Sequence, residues 1–214
     1  MESKVYNLPY NKCIGGVPTM EKVIDKIIEK MKVSDSLTDD EEIVRYGLEI
    51  MITKMIFAVS IAVVGLLMKS FFEGVVFTTA YSLIRQYGGG SHAKTKTLCY
   101  IHSMLTFVAS LVIIKAVVYI PILVAPISVL SVISVVYIFL VAPIDSENKR
   151  LDNDEIRVYG RKARIMATAM FIVSLILFLL KLNVFAFSVM TGIIISAFLM
   201  VVGQIENYKS GDEQ

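Results

Sequence analysis

Two residue types capable of covalent chemistry lie close together between two apolar runs of the chain. His92 and Cys99 fall in the stretch 85–103, which also contains His102 and the glycine triplet Gly88–Gly90. Three consecutive glycines predict a backbone that turns sharply or approaches another group closely. A cysteine thiolate is a strong nucleophile, and a neighbouring imidazole can take up and return a proton. The pair therefore predicts a nucleophile, Cys99, and a general base, His92, acting on a carbonyl substrate.

The spacing of this pair limits the backbone between its two members. On one continuous helix, residues seven apart lie about 10 Å apart along the axis. Proton transfer needs about 3 Å or one bridging water, so the chain must bend back between them. We expect His92 on a loop after the glycines and Cys99 in the first turn of the next helix, where the helix dipole favours a thiolate.

Other interpretations of the same residues remain open. A lone histidine or cysteine in an apolar protein usually has a structural role, and His92, Cys99 and His102 could instead bind a metal. That site lacks an evident fourth ligand, so the prediction is no metal and no cofactor. The other cysteine, Cys13, forms no CxxC pair, and we expect it to be incidental.

The stretch resembles the AgrB family, the accessory gene regulator B cysteine peptidases in the membranes of Gram-positive bacteria. The family signature is an Arg, a Gly-Gly pair, a His just after it and a Cys seven positions beyond, matched here by Arg85, Gly89, Gly90, His92 and Cys99. A second block, residues 142–150, resembles the family pattern Ala-Pro-x-Asp-x-x-x-Lys. The resemblance covers roughly residues 20–204.

This resemblance implies a membrane cysteine endopeptidase of quorum sensing. It would cleave a short AgrD-like precursor through an acyl-thioester on Cys99 and promote closure of a thiolactone ring. The implied partners are this precursor and membrane lipids, with a homodimer left open and no nucleic acid. A membrane peptide transporter or a non-catalytic scaffold are the alternatives, although predicted spans nearly free of Asp and Glu argue against a proton-coupled pump.

Further residues near the pair could support catalysis. Backbone N–H groups of Gly89, Gly90 or Ser91, or of the helix start around Cys99, could form an oxyanion hole, and the side chain of Gln86 is an alternative. The family pattern favours a substrate-positioning role for Arg85. As third catalytic members, Ser91, Ser103 and Asp145 are candidates, and each also has an ordinary structural explanation.

The elements that must position these residues are apolar helices. The chain is 56% hydrophobic with a mean hydropathy of +0.69, and apolar runs near 20 residues predict an all-α polytopic membrane protein with about six transmembrane helices. We predict spans at about 50–68, 74–84, 98–119, 121–142, 165–180 and 184–202, with a charged loop over 145–164.

The segment before the first span predicts amphipathic helices. Apolar residues recur with a helical period over 20–32, and Thr38 with Glu41 forms a capping box before a second helix. No cleavable signal peptide is expected. The predicted organisation is therefore an irregular extension or tag, amphipathic cytoplasmic helices, a six-helix transmembrane peptidase domain and a polar tail, at residues 1–19, 20–49, 50–204 and 205–214.

The distribution of basic residues predicts the orientation. With six spans, all but three of the 21 Lys and Arg residues lie on the side of the termini, the exceptions being Lys69, Lys115 and Lys181. Because basic residues accumulate on the cytoplasmic side, we expect the termini and the active site to face the cytoplasm of a bacterial cell membrane.

Overall fold

The computed structural model describes residues 24–30, 41–90, 96–144 and 152–211. The described part is helical throughout, apart from short turns and one isolated parallel bridge between Gly89 and Ile144. A 3₁₀ turn, Pro121–Leu123, precedes one of the helices. The helices are α1 (residues 24–30), α2 (Glu41–Leu67), α3 (Phe71–Gly88), α4 (Lys96–Tyr119), α5 (Val124–Val141), α6 (Asn153–Leu179) and α7 (Asn183–Gly211).

The chain divides into two compact units, and the first comprises residues 1–60 and 93–102. In its described part, Ile24 and Ile28 of α1 are buried, and the charged residues between and after them are exposed. This division into a buried apolar side and an exposed charged side confirms the predicted amphipathic helix over residues 24–30. Arg45 of α2 forms an ion pair with Asp25, which ties the first helix to the second.

The second unit comprises residues 61–92 and 103–214, and α7 packs against α3, α5 and α6 within it. Small side chains allow the close approach. A Cβ on Gly192 would lie 3.1 Å from Ala80 Cβ and 3.2 Å from the Phe77 carbonyl. The buried hydroxyls of Ser188 and Ser196 donate to carbonyls one turn back in the same helix, as polar groups inside a membrane bundle require.

Five of the described helices are long and apolar enough to cross a membrane, and α3 is the shorter sixth. It has 18 residues and includes Glu73 and Arg85 near its ends. The fold is thus an all-α, multi-pass membrane bundle, which confirms the prediction from the apolar runs. The five candidate spans are Ile43–Leu67, Thr97–Tyr119, Pro121–Val141, Asp154–Leu179 and Asn183–Tyr208.

The prediction of a loop over residues 145–164 is wrong for its second half, because α6 begins at Asn153. Asp154 and Glu155 lie in its first turn, where the helix dipole favours acidic residues. A high density of charged residues is typical of a loop beside a membrane, which is the basis of the prediction. The arginines that follow in the sequence nevertheless recur with a helical period. Residues 145–151 of this predicted loop lie outside the described part.

The first long helix runs as predicted, and the last helix is longer than predicted. Helix α2 runs without a break from Glu41 into the first span, as expected from the capping box, whose Thr38 lies outside the described residues. Helix α7 continues to Gly211, so the polar residues after Val202 extend the last helix.

Candidate active site

The glycine triplet forms a corner at the end of α3, held by an arginine from the last turn of that helix. Arg85 Nη1 donates to the Gly89 carbonyl at 2.8 Å, and the Gly89 N–H donates back to the Arg85 carbonyl at 3.3 Å. A cation at a helix C-terminus also interacts favourably with the exposed carbonyls there. The Arg85 side chain therefore fixes the path of the chain as it leaves α3.

Both glycines after the helix adopt conformations that other residues rarely take. The φ angle is +72° at Gly89 and +120° at Gly90. A Cβ on Gly89 would collide with the Ile144 carbonyl oxygen, and a Cβ on Gly90 would meet Arg85 Nη1 and lie 2.8 Å from the Leu199 carbonyl oxygen. The triplet thus serves a sharp turn and a close approach at once, the two uses that its sequence predicted.

The same corner joins the two blocks that resemble the AgrB family. The Ile144 N–H donates to the Gly88 carbonyl at 3.0 Å, and Ile144 is buried beside Gly89 in the isolated bridge. The Ala-Pro-Ile segment after α5 is therefore positioned by the glycines after α3. Asp145, the next residue and a candidate third catalytic member, lies outside the described residues.

The candidate nucleophile belongs to the other compact unit. Helix α4 begins at Lys96, so Cys99 lies in its first turn, as predicted, and its thiol is free and exposed. The next residue anchors this turn, because the Tyr100 hydroxyl donates to Ser60 Oγ at 2.7 Å. The Tyr100 ring also lies edge-on to Phe57 of α2, with 6.3 Å between ring centroids.

The remaining predicted residues fall into two groups. Gln86 and His102 are exposed and Ser103 is half-buried, and Ser103 lies one helical turn after Cys99, on the same face of α4. His92, the predicted base, and Ser91 lie outside the described residues. Within the described part of the chain, no three His, Cys, Asp or Glu side chains are grouped closely enough to hold a metal ion.

Sequence reasoning missed the contribution of α7 to this corner. Gly88 packs against Met200, with Met200 Sδ 3.2 Å from the position of a Cβ on that glycine, and the Leu199 carbonyl closes over Gly90. These contacts involve backbone and a flexible thioether deep in an apolar run, so no local pattern distinguishes them from ordinary core residues.

The fold is a multi-pass helical bundle with a glycine corner, and an exposed cysteine lies at a helix start. These features indicate an integral-membrane protein with a candidate thiol site. The chain belongs to the AgrB family, described as accessory gene regulator B, whose family model matches residues 20–202. Membership of this family associates the chain with processing in the accessory gene regulator system of quorum sensing.

Two curated relatives from Clostridium perfringens have names that describe them as AgrB-like. The protein from strain SM101 is 23% identical over 188 residues, covering 85% of this chain and 87% of its own length. The second, from strain 13, is 26% identical over 174 residues, covering 75% of this chain and 76% of its own. No solved structure matches the chain significantly.

Proposed function

We propose that this protein is a membrane cysteine endopeptidase that cleaves an AgrD-like precursor peptide through an acyl-thioester on Cys99. The observation that carries the proposal is the exposed thiol of Cys99 in the first turn of α4, seven positions after His92 in a member of the AgrB family. Exposure allows a peptide carbonyl to reach the sulfur, and a helix start offers unpaired N–H groups near it.

The proposed cleavage needs one nucleophile and one proton carrier. His92 takes the proton from Cys99 Sγ, and the thiolate attacks the scissile carbonyl to form a tetrahedral intermediate. His92 then gives the proton to the leaving nitrogen, and the C–N bond breaks. The products are the N-terminal part of the precursor as a thioester on Cys99 and a C-terminal peptide with a free amine.

Ring closure follows by exchange of one thioester for another. A cysteine thiol within the retained peptide loses its proton and attacks the same carbonyl, which expels the Cys99 thiolate and leaves a thiolactone. Because a thioester is made as another is broken, this step is close to neutral in energy. The unfavourable conversion of an amide into a thioester therefore falls on the cleavage step, and ring closure only passes the acyl group from one sulfur to another.

The charge on the tetrahedral oxygen requires donors near Cys99. The N–H of Gly89 already donates to the Arg85 carbonyl, so we favour Gly90, Ser91 or the first N–H groups of α4, with the exposed Gln86 side chain as an alternative. Arg85 is proposed to hold the glycine corner and to position carboxylates of the substrate. Ser103 and Asp145 remain candidates for orienting His92.

A decisive experiment compares each proposed residue with the chain's other residue of the same type. The variants Cys99→Ala and His92→Ala would be incubated in membranes with an AgrD-like peptide that has an amphipathic start, a central cysteine and an acidic tail. We expect no cleavage with Cys99→Ala and a loss of at least about 100-fold with His92→Ala. Cys13→Ala and His102→Ala should cleave like wild type, and mass spectrometry of the peptide measures all four.

The covalent step has a readout of its own. A precursor whose central cysteine is replaced by serine should leave a hydroxylamine-sensitive adduct on Cys99, detected by intact-protein mass. Normal cleavage by Cys99→Ala would refute the peptidase in favour of a transporter or scaffold, and loss of activity in His102→Ala equal to that in His92→Ala would favour the metal site.

A further inference from the structure

A groove of about 690 Å³ runs along one side of α6, beside the end of α5. Its basic end is formed by Arg157, Arg161 and Arg164, and its apolar end includes Ile165 and Ile172. These residues follow the spacing i, i+4, i+7, i+8 and i+15, so they form one stripe of the helix. No acidic side chain occurs among the described residues that line the groove.

The basic end is partly preorganised. Arg164 is half-buried, its Nε donates to the Phe139 carbonyl at 2.9 Å, and its guanidinium lies 5.7 Å from the centre of the Phe139 ring. Arg157 and Arg161 are exposed. Three guanidinium groups within about 10 Å of helix repel one another unless an anion joins them, and the planar fork of arginine matches the oxygens of a phosphate.

The apolar end belongs to a membrane-crossing helix. Ile165 is 54% exposed and Ile172 is 50% exposed, and both lie inside the candidate span Asp154–Leu179. The stripe from Ile165 to Ile172 continues the groove for about 10 Å toward the hydrocarbon. A ligand that fills the whole groove must therefore combine an anionic group with an apolar chain aligned with the membrane normal.

We propose that this groove binds an anionic phospholipid, with its phosphate at Arg157 and Arg161 and one acyl chain along Ile165 and Ile172. A soluble acidic peptide would satisfy the arginines but leave the apolar end uncovered. A neutral lipid would cover the apolar end but leave three positive charges together. Lipid binding by these residues requires neither Cys99 nor His92, so the proposal does not depend on the proposed peptidase activity.

The test uses full-length protein in a neutral detergent and lipids that differ only in headgroup. Phosphatidylglycerol and phosphatidylcholine with identical acyl chains would be titrated, and lipid retained per protein would be measured by native mass spectrometry. We expect phosphatidylglycerol to bind at least about fivefold more tightly than phosphatidylcholine to wild type. Loss of one cation near the headgroup in Arg161→Gln should weaken phosphatidylglycerol about fivefold.

A matched control is the neighbouring residue Lys162. Its ammonium group lies 5.3 Å from the centre of the Tyr87 ring, and Lys162 does not line the groove. Lys162→Gln therefore changes the net charge by the same amount at a position outside the groove. This variant should bind phosphatidylglycerol within about twofold of wild type. Arg157→Gln, at an exposed position near the start of α6, tests the same site if Arg161→Gln proves poorly folded.

Three results would overturn the proposal. Equal binding of the two lipids to wild type would show that the headgroup is not recognised. Equal weakening in Arg161→Gln and Lys162→Gln would show a diffuse charge effect without a site. Displacement of phosphatidylglycerol by millimolar inorganic phosphate, or by a glutamate-rich peptide at lower concentration than the lipid, would show that the apolar end contributes nothing and that the groove takes soluble anions.

Discussion

Gly90 is the residue at which the glycine corner has the least room. Its φ of +120° is disfavoured for residues with a side chain, and any Cβ would meet Arg85 Nη1 and the Leu199 carbonyl. The Arg85 guanidinium could shift, but it would then release the Gly89 carbonyl that it holds. The Leu199 carbonyl belongs to α7 and cannot move without displacing a buried helix.

We predict that Gly90→Ala destabilises the folded protein by about 1–3 kcal/mol, the usual cost of a strained backbone position, and lowers precursor cleavage more than tenfold. Apparent melting temperature in detergent and the cleavage assay would measure the two effects. Gly47→Ala is the matched control, because a Cβ at Gly47 in α2 would meet nothing within 4 Å. Wild-type behaviour of Gly90→Ala would contradict the close packing of this corner.

Residue types and spacing were enough to predict the sharp turn at the glycines and the place of Cys99 in its helix. They could not predict that Ile144 donates to the Gly88 carbonyl. This bond joins two backbone groups that are distant in sequence, and backbone groups are the same at every position. The resemblance of both blocks to one family was recognisable, but their contact was not.

Two helices end in the same way, with a lysine in the left-handed conformation. Lys69 after α2 has a φ of +52° and Lys181 after α6 a φ of +60°. In each case the next residue's N–H reaches back across the turn, from Ser70 to Gly65 and from Leu182 to Leu177. This is the cap in which glycine is the favoured residue.

We predict that Lys181→Gly stabilises the protein by up to about 1 kcal/mol, because glycine adopts this conformation without the steric cost that a Cβ brings. Lys181→Ala, which removes the same charge but keeps a Cβ, should lack this gain and serves as the control. The measurement is the apparent melting temperature of both variants in one detergent at one heating rate. A higher melting temperature for the alanine variant would contradict the argument.

At the scale of elements, the length of the apolar runs predicted most spans well. The density of charged residues led to a wrong prediction for the start of one helix. Helix α4 ends at Tyr119, which is the predicted end of that span. Helix α6 begins twelve residues earlier than predicted from its apolar core, at Asn153. Arg157, Arg161 and Arg164 had the helical spacing that would have revealed this, but a run of charges next to a membrane was interpreted as a loop.

The arrangement of the helices is the part that the sequence could not provide. Apolar residues dominate every predicted span, so hydropathy does not indicate which of the spans is interior. The structure makes α7 the most buried of the five candidate spans, because Gly192 and the buried serines of this helix let α3 approach closely. Small residues in a membrane helix indicate a side where another helix packs closely, but they do not specify which helix that is.

The orientation of the whole molecule remains the prediction with the widest consequences. It rests on the three lysines Lys69, Lys115 and Lys181 being alone on the side opposite the termini, since basic loops stay in the cytoplasm. If Cys99 faces the cytoplasm, the proposed precursor would meet the proposed peptidase where it is synthesised, and an amphipathic leader on it could lie on the inner membrane surface. The proposed product would then have to be carried across the membrane.

We predict that a membrane-impermeant maleimide added to intact cells leaves Cys99 unmodified in a Cys13→Ala background and modifies it once the membrane is permeabilised. The thiol is exposed, so protection in intact cells can be attributed to the membrane rather than to burial. Lys181→Cys in a background lacking both natural cysteines is the matched control, because this exposed turn between α6 and α7 lies on the predicted outer side and should react from outside. Rapid modification of Cys99 in intact cells, at the rate of the control cysteine, would reverse the orientation and place the proposed thioester chemistry outside the cell.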